Sequence, residues 1–341
     1  MIFSEYRFIV DGKEQQAHSG REARCLRASG NRPWGLMTPI DVSIVIPTRN
    51  RVQSLARLLR SLDLMEIPDA LRTEALFADN GSTDETGRFL LEEQKKPRKF
   101  LLRVLQEMRR GKANAVNRCL QESEGKIISI IDDDVVVHPQ WLVRHLECYD
   151  LAAFDALQGR ILPGVDPEGR PADLERLYQY NIPLVDYGNQ IREIKGLLAT
   201  NISLKREVFE KAGFYNPSLG AGASGFGEDT EYSARIRKAG FKIGYTPHAV
   251  VYHELDPGRY GRAYNRRIHY LKGFSRSLSR RDSIPFRVVP NLLASCIRYG
   301  LYRTSGQGEK AYKTEGRIMR YWGYLIGKAG SCLRRDSGQS D

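Results

Sequence analysis

The sequence predicts an α/β fold: a single domain on a mostly parallel central sheet flanked by helices, followed by a basic, mainly helical C-terminal extension. Three observations lead there. From Asp41 onward short apolar runs alternate with amphipathic stretches at helical spacing, no hairpin signal joins consecutive strands, and the net charge of +12 gathers at one end of the 341 residues.

The elements follow in order. Residues 1–40 carry Gly20, Gly30, Pro33, Gly35 and Pro39 without sustained periodicity and read as a loosely structured extension. Residues 42–46 form a short apolar strand stopped at Pro47, and Leu55, Leu58, Leu59 and Leu62 recur at helical spacing behind Asn50 as N-cap. Residues 75–78 make a second strand; Ser82 with Glu85 reads as a capping box opening the next helix. A third strand over 101–105, a helix marked by Ala113, Val116 and Leu120, and a fourth strand over 127–131 complete the alternating half. Beyond Trp141 the pattern loosens. A proline- and glycine-rich loop from Pro163 to Pro171 precedes a strand over 197–204 and a helix over 207–212. A glycine-rich loop, 220–227, opens a helix over 228–239, and a last strand over 249–252 delivers His253. The expected domains are thus 1–40, 41–255 and 256–341.

A hydrophobic content of 41% suits a large continuous core. No apolar stretch reaches the ~18 to 20 residues of a membrane span, and the start lacks the apolar segment of a secretory signal, so a cytoplasmic location is expected. The five cysteines are scattered and suggest neither a disulfide framework nor a thiolate zinc site. From Leu255 onward there are 18 Lys or Arg against 6 Asp or Glu, while the rest of the chain holds 35 of each, so the excess charge belongs wholly to the last quarter. There Arg259, Arg262, Arg266 and Arg267 interleave with Tyr260, Tyr264 and Tyr270, followed by Val288, Val289, Leu292, Leu293, Ile297 and Leu301. Short apolar stretches flanked by arginine suit peripheral contact with an anionic leaflet; helices packed on the domain with a charged outer face explain them too.

The chemistry gathers behind the strands. Pro47, Thr48, Arg49 and Asn50 follow the first; Asp79, Asn80, Gly81 and Ser82 the second; Gly111, Lys112 and Asn114 the third; and Asp132, Asp133 and Asp134 the fourth. A parallel sheet brings all four clusters to one edge. Three adjacent carboxylates repel unless a cation or ligand answers them, although acids in a solvated loop capping the next helix are the plainer reading of the triplet alone.

Together these motifs resemble family 2 glycosyltransferases of the GT-A fold, over roughly residues 42–253. The resemblance implies a nucleotide-sugar-binding domain with donor contacts from Pro47, Thr48, Arg49, Asp79, Lys112, Asp132 and Asp133. It implies a divalent metal, Mn2+ or Mg2+, held by Asp134 and His253, and a catalytic base at Asp229 in the Glu228–Asp229 pair. Asn201, Glu228 and Arg259 are candidate acceptor or diphosphate contacts. A hard ion neutralises a leaving diphosphate, and a carboxylate takes the proton of an acceptor hydroxyl. One base without a second nucleophile implies inversion. His138 reads as a loop residue. The expected reaction moves one sugar, from a UDP-sugar first among donors, to a hydroxyl of a glycan, lipid-linked or cell-surface polysaccharide acceptor. The missing Gln-x-x-Arg-Trp motif sets the chain apart from processive synthases of that family. A nucleotidyltransferase would share the metal but leave Glu228–Asp229 unexplained. A nucleic-acid-binding protein would use the basic tail and treat the aspartates as structural, and a sheet binding nucleotide-sugar without turnover would act as scaffold or sensor; no nucleic-acid partner is expected for the leading reading.

Overall fold

The computed structural model describes residues 9–10, 13–14, 40–164, 183–256, 261–279 and 281–336. Most of the N-terminal extension, most of the loop from Pro163 to Pro171, and Arg259 lie outside the described residues. Residues 1–38 and 39–341 form separate units. In the first, β1 (Ile9–Val10) pairs antiparallel with β2 (Lys13–Glu14).

The second unit is built on a nine-stranded sheet in the order β5-β4-β3-β6-β10-β8-β11-β7, with β9 paired to β11. The parallel half comprises β3 (Val42–Thr48), β4 (Thr73–Asp79), β5 (Leu101–Gln106) and β6 (Ile127–Ile131). Helices α1 (Val52–Asp63), α2 (Thr86–Glu93) and α3 (Lys112–Glu122) alternate with them. Every residue of β3 and β4 is buried, because helices cover both faces of the sheet. One face packs Ile44, Ile46 and Phe77 against Leu55, Leu58 and Leu62 of α1; the other packs Val45, Leu76 and Ile130 against Val116 and Leu120 of α3.

The second half is mixed. After α4 (Trp141–Leu151), β8 (Ala156–Pro163) and β11 (Ile243–His253) continue the dominant direction, whereas β7 (Val135–Val137), β9 (Arg192–Ile194) and β10 (Asn201–Lys205) run against it. β10 lies between β6 and β8, so Asn201 is in the interior of the sheet. The strand expected over 197–204 begins only at Asn201, the residues before it forming a loop whose N–H groups are taken by side chains.

Two expected caps serve another purpose. α1 begins at Val52 behind Arg51 and α2 at Thr86 behind Glu85, neither with a side-chain cap. Asn50 instead adopts φ 52°, and its side chain and N–H bond Ser82 and Thr83, stapling the loop after β3 to the loop after β4. At α2, Asp84 accepts the Thr86 N–H at 3.0 Å.

Helices α5 (Arg206–Ala212) and α6 (Glu228–Lys238) complete the sheet's flank. The C-terminal region is helical: α7 (Arg262–Ser279), a π-helical turn (Ile284–Val288), α8 (Val289–Thr304) and α9 (Gly308–Asp336). α7 and α9 pack backbone to backbone, and a Cβ built on Gly273 would lie 1.9 Å from the carbonyl oxygen of Arg320. Gly273→Ala is therefore expected to lower stability by ~1–3 kcal/mol through overpacking. Gly330→Ala, where a Cβ meets nothing within 4 Å, should be neutral or slightly stabilising in thermal denaturation. Equal effects at both positions would show that the helices do not pack this closely.

Candidate active site

The acid triplet occupies a tight connection between β6 and β7. β7 pairs antiparallel with β11 so that Val135 stands opposite His253, and the Glu254 N–H donates to the Asp134 carbonyl at 2.9 Å. That register brings His253 Nε2 to 3.2 Å from Asp134 Oδ1. The other ring nitrogen, Nδ1, donates to the Glu254 carbonyl at 2.7 Å, which aims Nε2 at the acid. Burial opposes charge on this imidazole, but Asp134 more than offsets it and the His253 pKa is raised.

Asp132, Asp134 and His253 each offer a ligand atom, all within 4.8 Å of one another. Two carboxylate oxygens and one imidazole nitrogen, oriented by a backbone carbonyl, fit a divalent ion such as Mn2+ or Mg2+.

Asp132 also reaches the other side of the site. One oxygen pairs with the Lys112 ammonium and the other accepts from Thr200 Oγ1 at 2.7 Å. The neighbouring N–H, that of Ala199, donates to Asp229 Oδ2 at 3.1 Å. A single dipeptide before β10 thus ties Asp132 to Asp229. Lys112 is largely buried, which disfavours its charge, yet Asp132, Asp229 and Glu228 together raise its pKa.

Asp229 Oδ1 is buried without a hydrogen-bond partner. Burial, with Glu228 adding like charge, pushes the carboxyl up to about 7, while Lys112 and the Ala199 N–H pull the other way. A pKa there suits a proton acceptor at neutral pH. Glu228 is raised as well, by burial first and against the pull of Lys112.

Beside these acids lies a cleft of about 280 Å³, lined by Pro47, Thr48, Arg49, Arg51, Asn80, Arg110, Gly111, Lys112, Asp132 and Asp133 among others. Four cations, Arg49, Arg51, Arg110 and Lys112, are among its lining residues, which suits a diphosphate. Ala221 and Gly222 of the glycine-rich loop also line the cleft. The Lys112 N–H donates to the Ala221 carbonyl at 2.8 Å, and a Cβ on Gly222 would stand 2.9 Å from Gly111 Cα, so only glycine permits this approach. From behind, α7 holds the same loop: Ser275 donates to the Ser224 carbonyl at 2.8 Å and accepts the Phe226 N–H at 3.1 Å, with Lys272 over the Phe226 ring.

The sequence-predicted residues divide accordingly. Pro47, Thr48, Arg49, Lys112, Asp132 and Asp133 reach the cleft, with Thr48 donating to Asp133 at 2.7 Å and Arg49 to the Asn80 carbonyl at 3.1 Å. Burial and the adjacent Asp134 push Asp133 up to about 7. Asp79 is on the same rim but not on the cleft wall: its Oδ1 accepts the Ser82 N–H at 2.9 Å and closes a turn. Asn80 lines the wall instead, while its amide pins the β5–α3 loop by accepting from Gly111 N–H and donating to the carbonyls of Glu107 and Arg109.

Asn201 is corrected. It is fully buried, and its oxygen accepts from Trp141 Nε1 at 2.7 Å and faces His145 Nε2 at 3.1 Å. Its NH2 donates to the carbonyls of Arg160 and Ala249, both at 2.9 Å. Those carbonyls border the register shift between Thr246 and Val250, where Pro247 interrupts β11. With every position taken inside the sheet, Asn201 cannot contact an acceptor or diphosphate. His138 sits in the β7–α4 turn, accepting the Gln140 N–H.

Sequence reasoning missed Arg51 and Thr200. Arg51 stands 3.8 Å from Asp134, and despite burial its pKa is raised by Asp134 and Asp133. Its place directly after Arg49 and Asn50 was the available signal.

The fold and the acid cluster define a GT-A-type transferase. The chain belongs to glycosyl transferase family 2, whose family model matches residues 43–213, and it is a glycosyltransferase. It is 26% identical over 234 residues to the succinoglycan biosynthesis protein ExoM of Rhizobium meliloti, covering 69% of this chain and 73% of that one. It is 22% identical over 232 residues to glycosyltransferase AglE of Haloferax volcanii, covering 68% and 72%. The structure of mannosyltransferase PcManGT from Pyrobaculum calidifontis in complex with GDP-Man and Mn2+ superimposes with a TM-score of 0.57 at 18% identity, covering 87% and 90%, which supports the shared fold.

The raised Asp229 pKa has a consequence for stability. Between the ordinary aspartate value, about 3.9 in the unfolded chain, and about 7 in the folded one, the folded chain binds the extra proton, so this group makes stability fall as pH rises through that window. Asp229→Asn should therefore melt higher than the parent at pH 8, by on the order of 1 kcal/mol or more, and the gain should shrink at pH 5. A gain confined to pH 5 would show that Asp229 is not a buried, strained acid.

Proposed function

We propose that the chain is a divalent-metal-dependent, inverting glycosyltransferase. It moves one sugar from a nucleotide-sugar, with UDP-sugars the first donors to test, to a hydroxyl of a glycan or lipid-linked acceptor at the cytoplasmic face of a membrane. The observation that carries this is the meeting of distant acids: Asp134 and His253 on one flank, Asp229 and Glu228 on the other, joined through Asp132, Lys112 and the Ala199–Thr200 dipeptide. ExoM, by its name a succinoglycan biosynthesis protein, supports a polysaccharide-type product, and the GDP-Man complex of PcManGT supports a nucleotide-sugar donor.

In this reading the catalytic domain is 41–255. Arg49, Arg51, Arg110 and Lys112 draw the diphosphate into the cleft, Asn80 lines it toward the nucleoside, and Asp79 supports that rim through its turn with Ser82. When bound, Mn2+ or Mg2+ at Asp134 and His253 supplies charge neutralisation for the departing diphosphate. Asp229 takes the proton of the acceptor hydroxyl as its oxygen bonds the anomeric carbon, while the bond from that carbon to the phosphate oxygen breaks. Attack opposite the leaving group inverts the centre. Asp229 Oδ1, buried without a hydrogen-bond partner, has a lone pair uncommitted for this proton, which supports the reading.

Thermal-shift titration with UDP and GDP, each with and without Mn2+, tests the donor side. Asp134→Ala should abolish the metal-dependent shift, and Mn2+ affinity should rise with pH as His253 releases its Nε2 proton. Asp229→Asn should keep the shift yet lower turnover about 100-fold or more. An Asp134→Ala protein with unchanged Mn2+-dependent affinity, or an Asp229→Asn protein with normal turnover, would refute the respective assignment.

A further inference from the structure

The outward face of α8 is apolar. Val289, Leu293, Ile297 and Leu301 recur every four residues and are 36%, 59%, 66% and 61% exposed. The opposite side of the helix carries Ser295, which is buried, with Leu292, Tyr299 and Tyr302 partly covered. A surface helix ordinarily turns such a stripe inward. The preceding π-helical turn continues the face with Phe286, 88% exposed, and Ile284.

The charges on α8 and on the turn before it are all of one sign. Between Ser283 and Gly308 there is no Asp or Glu; the charged residues are Arg287, Arg298 and Arg303, each exposed. Arg287 is partly answered by Asp282 at 3.4 Å. Two copies of α8 facing each other would bring arginine toward arginine with no acid on the helix to compensate. An anionic bilayer surface complements both features, taking the apolar side chains into the acyl boundary and the guanidinium groups at its phosphates. No helix among the described residues is long and apolar enough to cross a membrane, so the contact would be interfacial.

We propose that α8, led by Phe286, lies in the plane of an anionic membrane surface and holds the enzyme there. This rests on the membrane setting of the reading above and names the surface that makes the contact. α8 packs on α9, α9 on α7, and α7 grips the glycine-rich loop that leads into Glu228 and Asp229. The docking helix is thereby mechanically joined to the loop before the base, which suits an acceptor presented at a bilayer.

The test is co-sedimentation of the full chain with vesicles of phosphatidylcholine alone or with 30 mol% phosphatidylglycerol, in low and high salt. Binding is expected to the anionic vesicles, about tenfold weaker on the neutral ones, and weakened by salt. The double variant Leu293→Ser, Ile297→Ser should lose binding about tenfold or more while keeping its UDP and Mn2+ thermal shift, since both side chains face solvent. Arg298→Gln with Arg303→Gln should lose the preference for anionic lipid. Wild-type protein that binds neither vesicle, or serine variants that bind as tightly as wild type, would overturn the proposal. So would a dimer in light scattering that the serine substitutions dissociate without any vesicle binding, which would give the face to a second copy. Vesicle binding without any nucleotide response would fault the glycosyltransferase site and leave the docking surface standing.

Discussion

Three consecutive carboxylates at the end of a buried strand repel one another, and the site is organised by how that repulsion is answered. On one side the antiparallel pairing of β7 with β11 sets His253 against Asp134, and Arg51 adds a second positive group. On the other, Lys112 neutralises Asp132 and carries its influence to Glu228 and Asp229. Asp133, between them, takes the Thr48 hydroxyl and is pushed toward its neutral form. The answer is incomplete, with Asp229 retaining an unpartnered oxygen and a raised pKa. Incomplete compensation of buried charge costs stability and leaves groups ready to exchange protons or hold a cation.

The mixed half of the sheet makes this geometry possible. β11 must bulge at Pro247 to bring its end alongside β7, and the bulge leaves carbonyls that the strand ladder does not satisfy. Asn201 donates to two of them while Trp141 and His145 hold its oxygen. Burial holds His145 down to about 4, so it stays neutral inside this network. A polar cluster far from water thus fixes the register that positions His253. The same dipeptide that leads into Asn201 offers Ala199 N–H to Asp229 and Thr200 Oγ1 to Asp132.

The parallel half was legible because its signal is local: apolar runs of five or so residues, helical spacing between them, and polar clusters where each strand ends. The place of Lys112, Asp132 and Asp134 at the strand ends follows from that pattern, while the roles expected of them rest on the family resemblance. What the sequence hides is pairing partner and register. Nothing in residues 135–137 announces a strand that turns back antiparallel, and a buried amide such as Asn201 reads like a ligand contact until its four partners are seen. Asn50 and Ser82 look like helix caps because their residue types favour both caps and loop staples, and tertiary proximity selects between the two. Arg51 was passed over because an arginine before a helix has many surface explanations and only the fold sets it against Asp134.

The most direct measurement is anomalous diffraction at the manganese edge from crystals grown with a nucleoside diphosphate and Mn2+. A peak within coordination distance of Asp134 and His253, with the diphosphate lying along Lys112 and Arg51, is the expected result. A peak bound elsewhere, or a nucleotide seated away from Asp132 and Asp229, would contradict the convergence of acids on which the enzyme's chemistry is built.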